Sequence, residues 1–211
     1  MSNDAAHHGT LFIVAAPSGG GKTSLIRGLL ELDAKLALSV SHTTRPARPG
    51  EEDGKHYHFV SVADYEQMVA NGEFVEHAQV FDHFYGTSHA AITTKLSAGF
   101  DVLLDIDWQG ARQVRDGFPG CCSIFIIPPS LEALRKRLER RGQDNARIIE
   151  RRMRDAQAEI SHWAEFDHVL INDEFDKALE QLHEIINDHR QQNPRKTDNE
   201  SRRLAQLLAS S

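Results

Sequence analysis

Ala16-Pro17-Ser18-Gly19-Gly20-Gly21-Lys22-Thr23 is the stretch on which the reading of this chain turns. Before it runs Leu11–Ala16, a continuous apolar segment that suits a strand buried on both faces. After it, from Lys22 to Leu30, residues Leu25, Ile26, Leu29 and Leu30 recur at helical spacing. Strand, glycine turn and helix together open an α/β fold. The turn approximates the phosphate-loop pattern G-x-x-x-x-G-K-[ST]. Gly21, Lys22 and Thr23 match its second half, and Ala16 stands where the first Gly belongs, one methyl group away. Glycines at 19, 20 and 21 allow successive backbone N–H groups to converge on a phosphate at a helix N-terminus. Lys22 would place its charge on the β- and γ-phosphates of a nucleotide, and the Thr23 hydroxyl would ligate Mg²⁺.

Such a loop works with a carboxylate at the end of another hydrophobic strand. Asp101-Val-Leu-Leu-Asp-Ile-Asp107 supplies two, Asp105 and Asp107, which share one face if the strand runs through both. Ser123–Ile127 and His168–Ile171 read as further buried strands. Between them, Leu131, Leu134 and Leu138, then Ile148, Ile149, Met153 and Ile160, repeat at helical spacing. The alternation predicts a mostly parallel sheet covered by helices. The segment from Ser41 to about Ala90 lacks long apolar runs and is rich in Gly, Pro, Tyr, Phe and His; it reads as an inserted subdomain of short strands. The tail from Pro194 to Ser211 is polar, then helical in pattern through Leu204, Leu207 and Leu208.

Charge is unevenly placed. The 211 residues carry a formal net charge of −7. That average opposes nucleic acid and anionic membrane as general partners. Yet residues 135–154 hold nine basic side chains against three acidic ones, a local +6 that leaves −13 for the rest. Arg-rich helices joined by Arg141-Gly142-Gln143-Asp144 read as a mobile lid that can close over a small polyanion and expel water. A second basic group, Arg45 and Arg48, lies in the Pro-stiffened loop Ser41–Gly50 with Tyr57 downstream, a set able to grip one phosphate monoester. Cys121 and Cys122 are adjacent, which argues against a disulfide framework and against a zinc ligand set. With a polar N-terminus and no membrane-length apolar run, the expected compartment is the cytoplasm.

Six blocks, in order, resemble the guanylate kinase family of nucleoside-monophosphate kinases: Ala16–Lys22, Val40–Gly50, Gly54–Tyr57, Phe84–Thr87, Leu104–Gly110 and Val169–Asp173. They span about Thr10 to Arg190. The resemblance implies an α/β P-loop kinase with a parallel-sheet core covered by helices, formed by residues 1–40, 91–130 and 161–211. It also implies an inserted GMP-binding subdomain at 41–90 and a helical lid at 131–160. The implied reaction is transfer of the γ-phosphoryl group of ATP to GMP or dGMP, giving ADP and GDP, with Mg²⁺ and without a general base. Such a reaction belongs to purine nucleotide metabolism and GMP recycling. The acceptor phosphate would meet Arg45, Arg48, Tyr57 and Tyr85, and the guanine Ser41, Glu76, Thr87 and Asp107. A carboxylate at Glu76 can accept from guanine N1–H and its amine, and a hydroxyl at Ser41 or Thr87 can donate to O6. Where some members carry Ser, position 87 carries Thr.

On the donor side, ATP would meet Pro17, Ser18, Gly19, Gly20, Gly21, Lys22, Thr23, Ser24 and Asn172. Arg137, Arg141 and Arg152 would join Lys22 on the transferred phosphoryl, with Thr23 and, through water, Asp105 on the metal. Two other readings compete. Related domains serve as non-catalytic protein-binding modules, but the retained Gly21-Lys22-Thr23, Asp105 and lid arginines disfavour that here. A P-loop kinase for AMP or a thymidine monophosphate is disfavoured by Glu76 and the Ser41–Arg48 loop. Homo-oligomerisation is left open.

Overall fold

The computed structural model describes residues 9–80, 82–140 and 145–191. In chain order the elements are β1 (Leu11–Ala15), α1 (Lys22–Leu32), β2 (Leu36–Leu38), β3 (His42–Thr43), β4 (His58–Phe59), α2 (Val62–Ala70), β5 (Phe74–Val80) and β6 (His83–Ser88). There follow α3 (His89–Ser97), β7 (Asp101–Asp105), α4 (Trp108–Gly117), β8 (Cys122–Ile127), α5 (Leu131–Arg140), α6 (Ala146–Ile160), β9 (His168–Ile171) and α7 (Phe175–Arg190). The chain divides into two compact units. One takes residues 34–104 and 109–121 with those up to 11; the other takes 12–33, 105–108 and 122 onward.

The second unit carries the phosphate loop. Its strands β1, β8 and β9 lie parallel, with Phe12 opposite Cys122 and Ile124 opposite His168. Every residue of β1 and β8 is buried, which is why β1, and β8 from Ile124 to Ile127, read as continuous apolar runs rather than alternating ones. Helix α1 buries Leu25, Ile26 and Leu29, and α7 buries Ala178, Leu182 and Ile186, each set at helical spacing. The two helices approach closely at Gly28, where an added Cβ would stand 3.0 Å from Leu179 Cδ2. Helices α5 and α6 share a core of Leu134, Leu138, Ile149, Met153 and Ala156. The Asn145 side chain caps α6 by accepting the Ile148 N–H.

In the first unit β2 and β7 pair in parallel, Leu36 opposite Asp101. A four-stranded sheet has the order β4-β3-β6-β5, with β5 and β6 antiparallel. Tyr65, Phe74 and Phe84 form its aromatic core; the Tyr65 and Phe84 rings stack at 5.3 Å.

Two sequence expectations need correction. The 41–90 segment is not built of short strands alone: it contains helix α2, capped by Ser61, and the seven-residue strand β5. Tyr65 is the one residue α2 buries, so no apolar stripe announces the helix. Strand β7 stops at Asp105, so strand alternation does not place Asp107 on the Asp105 face. Cys122 opens β8 as a buried residue. Leu204, Leu207 and Leu208 lie outside the described residues. Among those described, no helix is long and apolar enough to cross a membrane.

Candidate active site

The turn between β1 and α1 closes through a Gly20 N–H to Pro17 carbonyl bond of 2.8 Å. Gly19 and Gly21 adopt φ of +88° and +92°, a region glycine enters without strain. Space is as tight as conformation: a Cβ on Gly19 would stand 2.9 Å from both Leu134 Cδ1 and Leu138 Cδ2. Gly21 is the N-cap of α1, offers no side-chain cap, and is followed by no acidic residue in the first turn. A helix start of that kind takes its partner from outside, as an anion. Thr23 and Ser24 are exposed in that first turn.

Lys22 is already engaged. Its Nζ lies 2.6 Å from Asp105 Oδ1 and donates to the Ile106 carbonyl at 2.8 Å. Asn172, expected near adenine, is buried with its side-chain amide donating to the Gly20 carbonyl at 2.8 Å. Its own carbonyl accepts from Arg137 NH2 at 2.6 Å, while Arg137 NH1 is buried with no hydrogen-bond partner. Both side chains crowd the last loop glycine, for a Cβ on Gly21 would meet Asn172 Nδ2 at 2.3 Å and Arg137 NH1 at 4.0 Å. Burial pushes the Arg137 guanidinium below its usual range, Asp173 pulling it partly back. Arg152 is half-buried on α6. Arg141 lies outside the described residues.

The residues expected around the acceptor gather in two groups in the first unit. In one, Glu76 on β5 faces Thr87 on β6 just past a register shift between Phe74 and Glu76. Thr87 donates to Glu76 Oε1 at 2.6 Å, and Ser41 Oγ lies 2.9 Å from Thr87 Oγ1. Thr87 has one hydroxyl proton, and it goes to Glu76, so Ser41 must donate to Thr87. Both protons thus run toward the carboxylate, and either hydroxyl has to turn before it can donate to a guanine O6. Glu76 is 4 % exposed and Thr87 fully buried, so this carboxylate is no ordinary surface residue.

In the other group, Arg45 forms a two-pronged pair with Glu51, NH1 to Oε2 and NH2 to Oε1, both 2.9 Å. NH1 also donates to the Pro46 carbonyl at 2.7 Å. The guanidinium stands 5.4 Å from the Tyr57 ring centre, and Tyr57 meets Tyr85 edge-on at 6.0 Å. Hydrogen bonding to Glu51 raises the Arg45 pKa, and the same bonds hold the Glu51 carboxyl below its ordinary value. Arg48 gives its backbone N–H to Glu51 Oε2 at 2.7 Å while the residue stays exposed. Asp107 belongs to the second unit and is half-buried.

Three side chains at these groups escaped the sequence reading. Glu51 has no spacing rule to betray it. Tyr65 donates its hydroxyl to the Tyr85 carbonyl at 2.7 Å, and burial, with Glu76 nearby, pushes that phenol above its usual range. Glu159 on α6 accepts the Ser18 N–H at 2.9 Å. Burial raises its carboxyl, Ser18 and Lys22 pull it down, and Asp107 and Asp155 raise it further. Glu159 falls beside the apolar stripe Met153, Ala156 and Ile160, and that position was its available signal.

A parallel α/β core with a glycine loop at a strand-to-helix turn, and a lysine held on a strand-end carboxylate, defines a P-loop kinase. The family model described as guanylate kinase matches residues 8–189. The chain belongs to the guanylate kinase family. It is 56 % identical over 201 residues to the guanylate kinase of Chromohalobacter salexigens, covering 95 % of this chain and 94 % of the relative. To that of Legionella pneumophila strain Lens it is 50 % identical over 202 residues, 96 % and 97 % of the two chains. The crystal structure of guanylate kinase from Anaplasma phagocytophilum superposes with a TM-score of 0.72 at 34 % identity, covering 90 % of this chain and 89 % of that one.

Proposed function

We propose that this chain transfers the γ-phosphoryl group of ATP to GMP or dGMP, with residues 41–90 as the GMP-binding subdomain, 131–160 as the lid and the remainder as the core. The carrying observation is the Ser41–Thr87–Glu76 chain, buried at Thr87 and Glu76, which presents a carboxylate suited to guanine N1–H and its amine. Adenine would set the N1 lone pair against that carboxylate, acceptor against acceptor, at a cost of roughly 10²-fold or more in discrimination. Arg45, Arg48, Tyr57 and Tyr85 hold the acceptor phosphate, and Asp107 completes the guanine contacts.

The acceptor phosphate is already an oxyanion, so transfer needs no general base; it rests on positioning and on charge. Pro17 to Gly21 shape the cradle for the donor phosphates, with Ser24 beside it in the first turn of α1. Lys22 leaves Asp105 for the β- and γ-phosphates. Arg137, whose NH1 is buried without a partner beside Gly21, completes its hydrogen bonding on the same group, joined by Arg141 and Arg152. Asn172 holds Gly20 and Arg137 in place and borders the adenine site. The exposed Thr23 hydroxyl and the Asp105 carboxylate are hard oxygen donors of the kind Mg²⁺ takes alongside phosphates, Asp105 through water. When bound, Mg²⁺ neutralises charge that develops between the β- and γ-phosphates.

We place the enzyme in the cytoplasm, in purine nucleotide metabolism. The test is a coupled ADP-release assay across GMP, dGMP, AMP, CMP and UMP. GMP and dGMP are expected to lead; equal rates with AMP would overturn the guanine assignment.

A further inference from the structure

We propose that Glu51 is a positioning residue of the acceptor site, holding Arg45 so that one defined edge of its guanidinium meets the acceptor phosphate. The proposal rests on the reading of Arg45 as a phosphate ligand. A guanidinium has five N–H donors. Three are spent here: two on Glu51 and one on the Pro46 carbonyl. A further side-chain hydrogen bond joins Arg45 to Tyr85, so the edge that remains is shared between that phenol and a phosphate, on a side chain that is 10 % exposed. The same carboxylate takes the Arg48 backbone N–H, so one group fixes both arginines of the loop.

Geometry decides between two effects that oppose each other. The negative charge of Glu51 weakens the pull of this corner on a phosphate dianion. Its bidentate grip, however, settles the orientation of a long side chain before the ligand arrives, so less ordering remains to be done on binding. Replacing Glu51 by Gln keeps an acceptor for NH1 and Arg48 but turns an amide N–H₂ toward Arg45 NH2, donor against donor. Arg45 then loses its fixed edge. Orientation is the larger effect because Arg45 is packed beside Tyr57 and Phe59, and few side-chain positions there leave it facing a ligand.

The experiment compares E51Q and E51D with the parent enzyme for KM of GMP, KM of ATP, kcat, and inhibition by guanosine, which lacks the phosphate. The parent's ATP–GMP turnover tests the function itself and is scored separately. In E51Q, KM for GMP should rise about tenfold, with KM for ATP and the guanosine inhibition constant changed less than about twofold. E51D, with the charge kept but the reach shortened, should fall between. Guanosine weakening in step with GMP would mean a general disturbance of the subdomain and overturn the proposal, as would an unchanged or lower KM for GMP. Should E51Q lose its cooperative melt, E51D decides by the same criteria.

Discussion

The donor corner and the acceptor corner each hold a cation against a carboxylate, by different devices. Lys22 meets Asp105 through one ammonium contact of 2.6 Å, with the Ile106 carbonyl as second acceptor. Arg45 meets Glu51 through two parallel bonds of 2.9 Å. An ammonium on a flexible stem re-aims easily, whereas a planar guanidinium keeps one edge bound while presenting another. Asp105, in the proposed role of holding Mg²⁺-bound water, would keep a positive partner once Lys22 turned to phosphate. Glu51 has no replacement in view. On the proposed roles, the donor corner would exchange partners and the acceptor corner would share them.

Removing the donor cation should have the largest effect. K22A should lower kcat by about 10²–10³-fold, as loss of a group that meets developing charge does. Calorimetry should find GMP affinity within about twofold of the parent, because the acceptor groups are not touched. Near-normal turnover would show that the Lys22–Asp105 pair is structural only. E76Q attacks the acceptor side away from the phosphate. It should lower kcat/KM for GMP by about 10²-fold and narrow the GMP-to-AMP ratio by a similar factor. A retained ratio would move guanine recognition elsewhere.

G21A disturbs the donor corner through its backbone. The alanine must hold φ near +92° and place Cβ 2.3 Å from Asn172 Nδ2. The strain should cost about 1–3 kcal/mol in thermal or denaturant unfolding. KM for ATP should rise about tenfold while KM for GMP stays near the parent value. Equal changes in both constants would deny that the corners act separately.

The donor corner was far more readable in the sequence than the acceptor corner. Its strand is wholly apolar and its helix periodic, and Gly19 to Thr23 form one unbroken run, so one local motif carries them. Ser41, Glu76 and Thr87 meet only through the pairing of β3, β5 and β6 with a register shift, which no local pattern encodes. Resemblance to a family supplied those residues; periodicity did not. Glu51 stayed hidden because a carboxylate three residues beyond Arg48 looks like any exposed loop acid. The hydroxyl protons running toward Glu76, and Lys22 resting on Asp105, concern which partner a side chain takes, and composition cannot settle that.

The smallest effect should come from neutralising Glu159, the carboxylate that touches the donor loop without holding a cation. Burial is the main influence on it and raises its pKa, so the folded chain binds this proton more tightly than the unfolded chain does. Its favourable contribution is complete at pH below the ordinary carboxylate value. It is lost as pH rises through that value and then through the raised folded value. At neutral pH ionised Glu159 should therefore cost stability, offset in part by the charge-assisted bond from Ser18 N–H. E159Q keeps an oxygen for Ser18 and removes the charge. Its melting temperature at neutral pH should match or exceed the parent by roughly 1–3 °C, and the difference should shrink toward pH 4. E159A, which leaves Ser18 N–H without its acceptor, should instead lose about 1–3 kcal/mol. If E159Q melts lower than the parent at neutral pH and the gap closes in acid, the ionised carboxylate is stabilising. Glu159 would then belong with Asp105 and Glu51 as a third carboxylate valued for its charge.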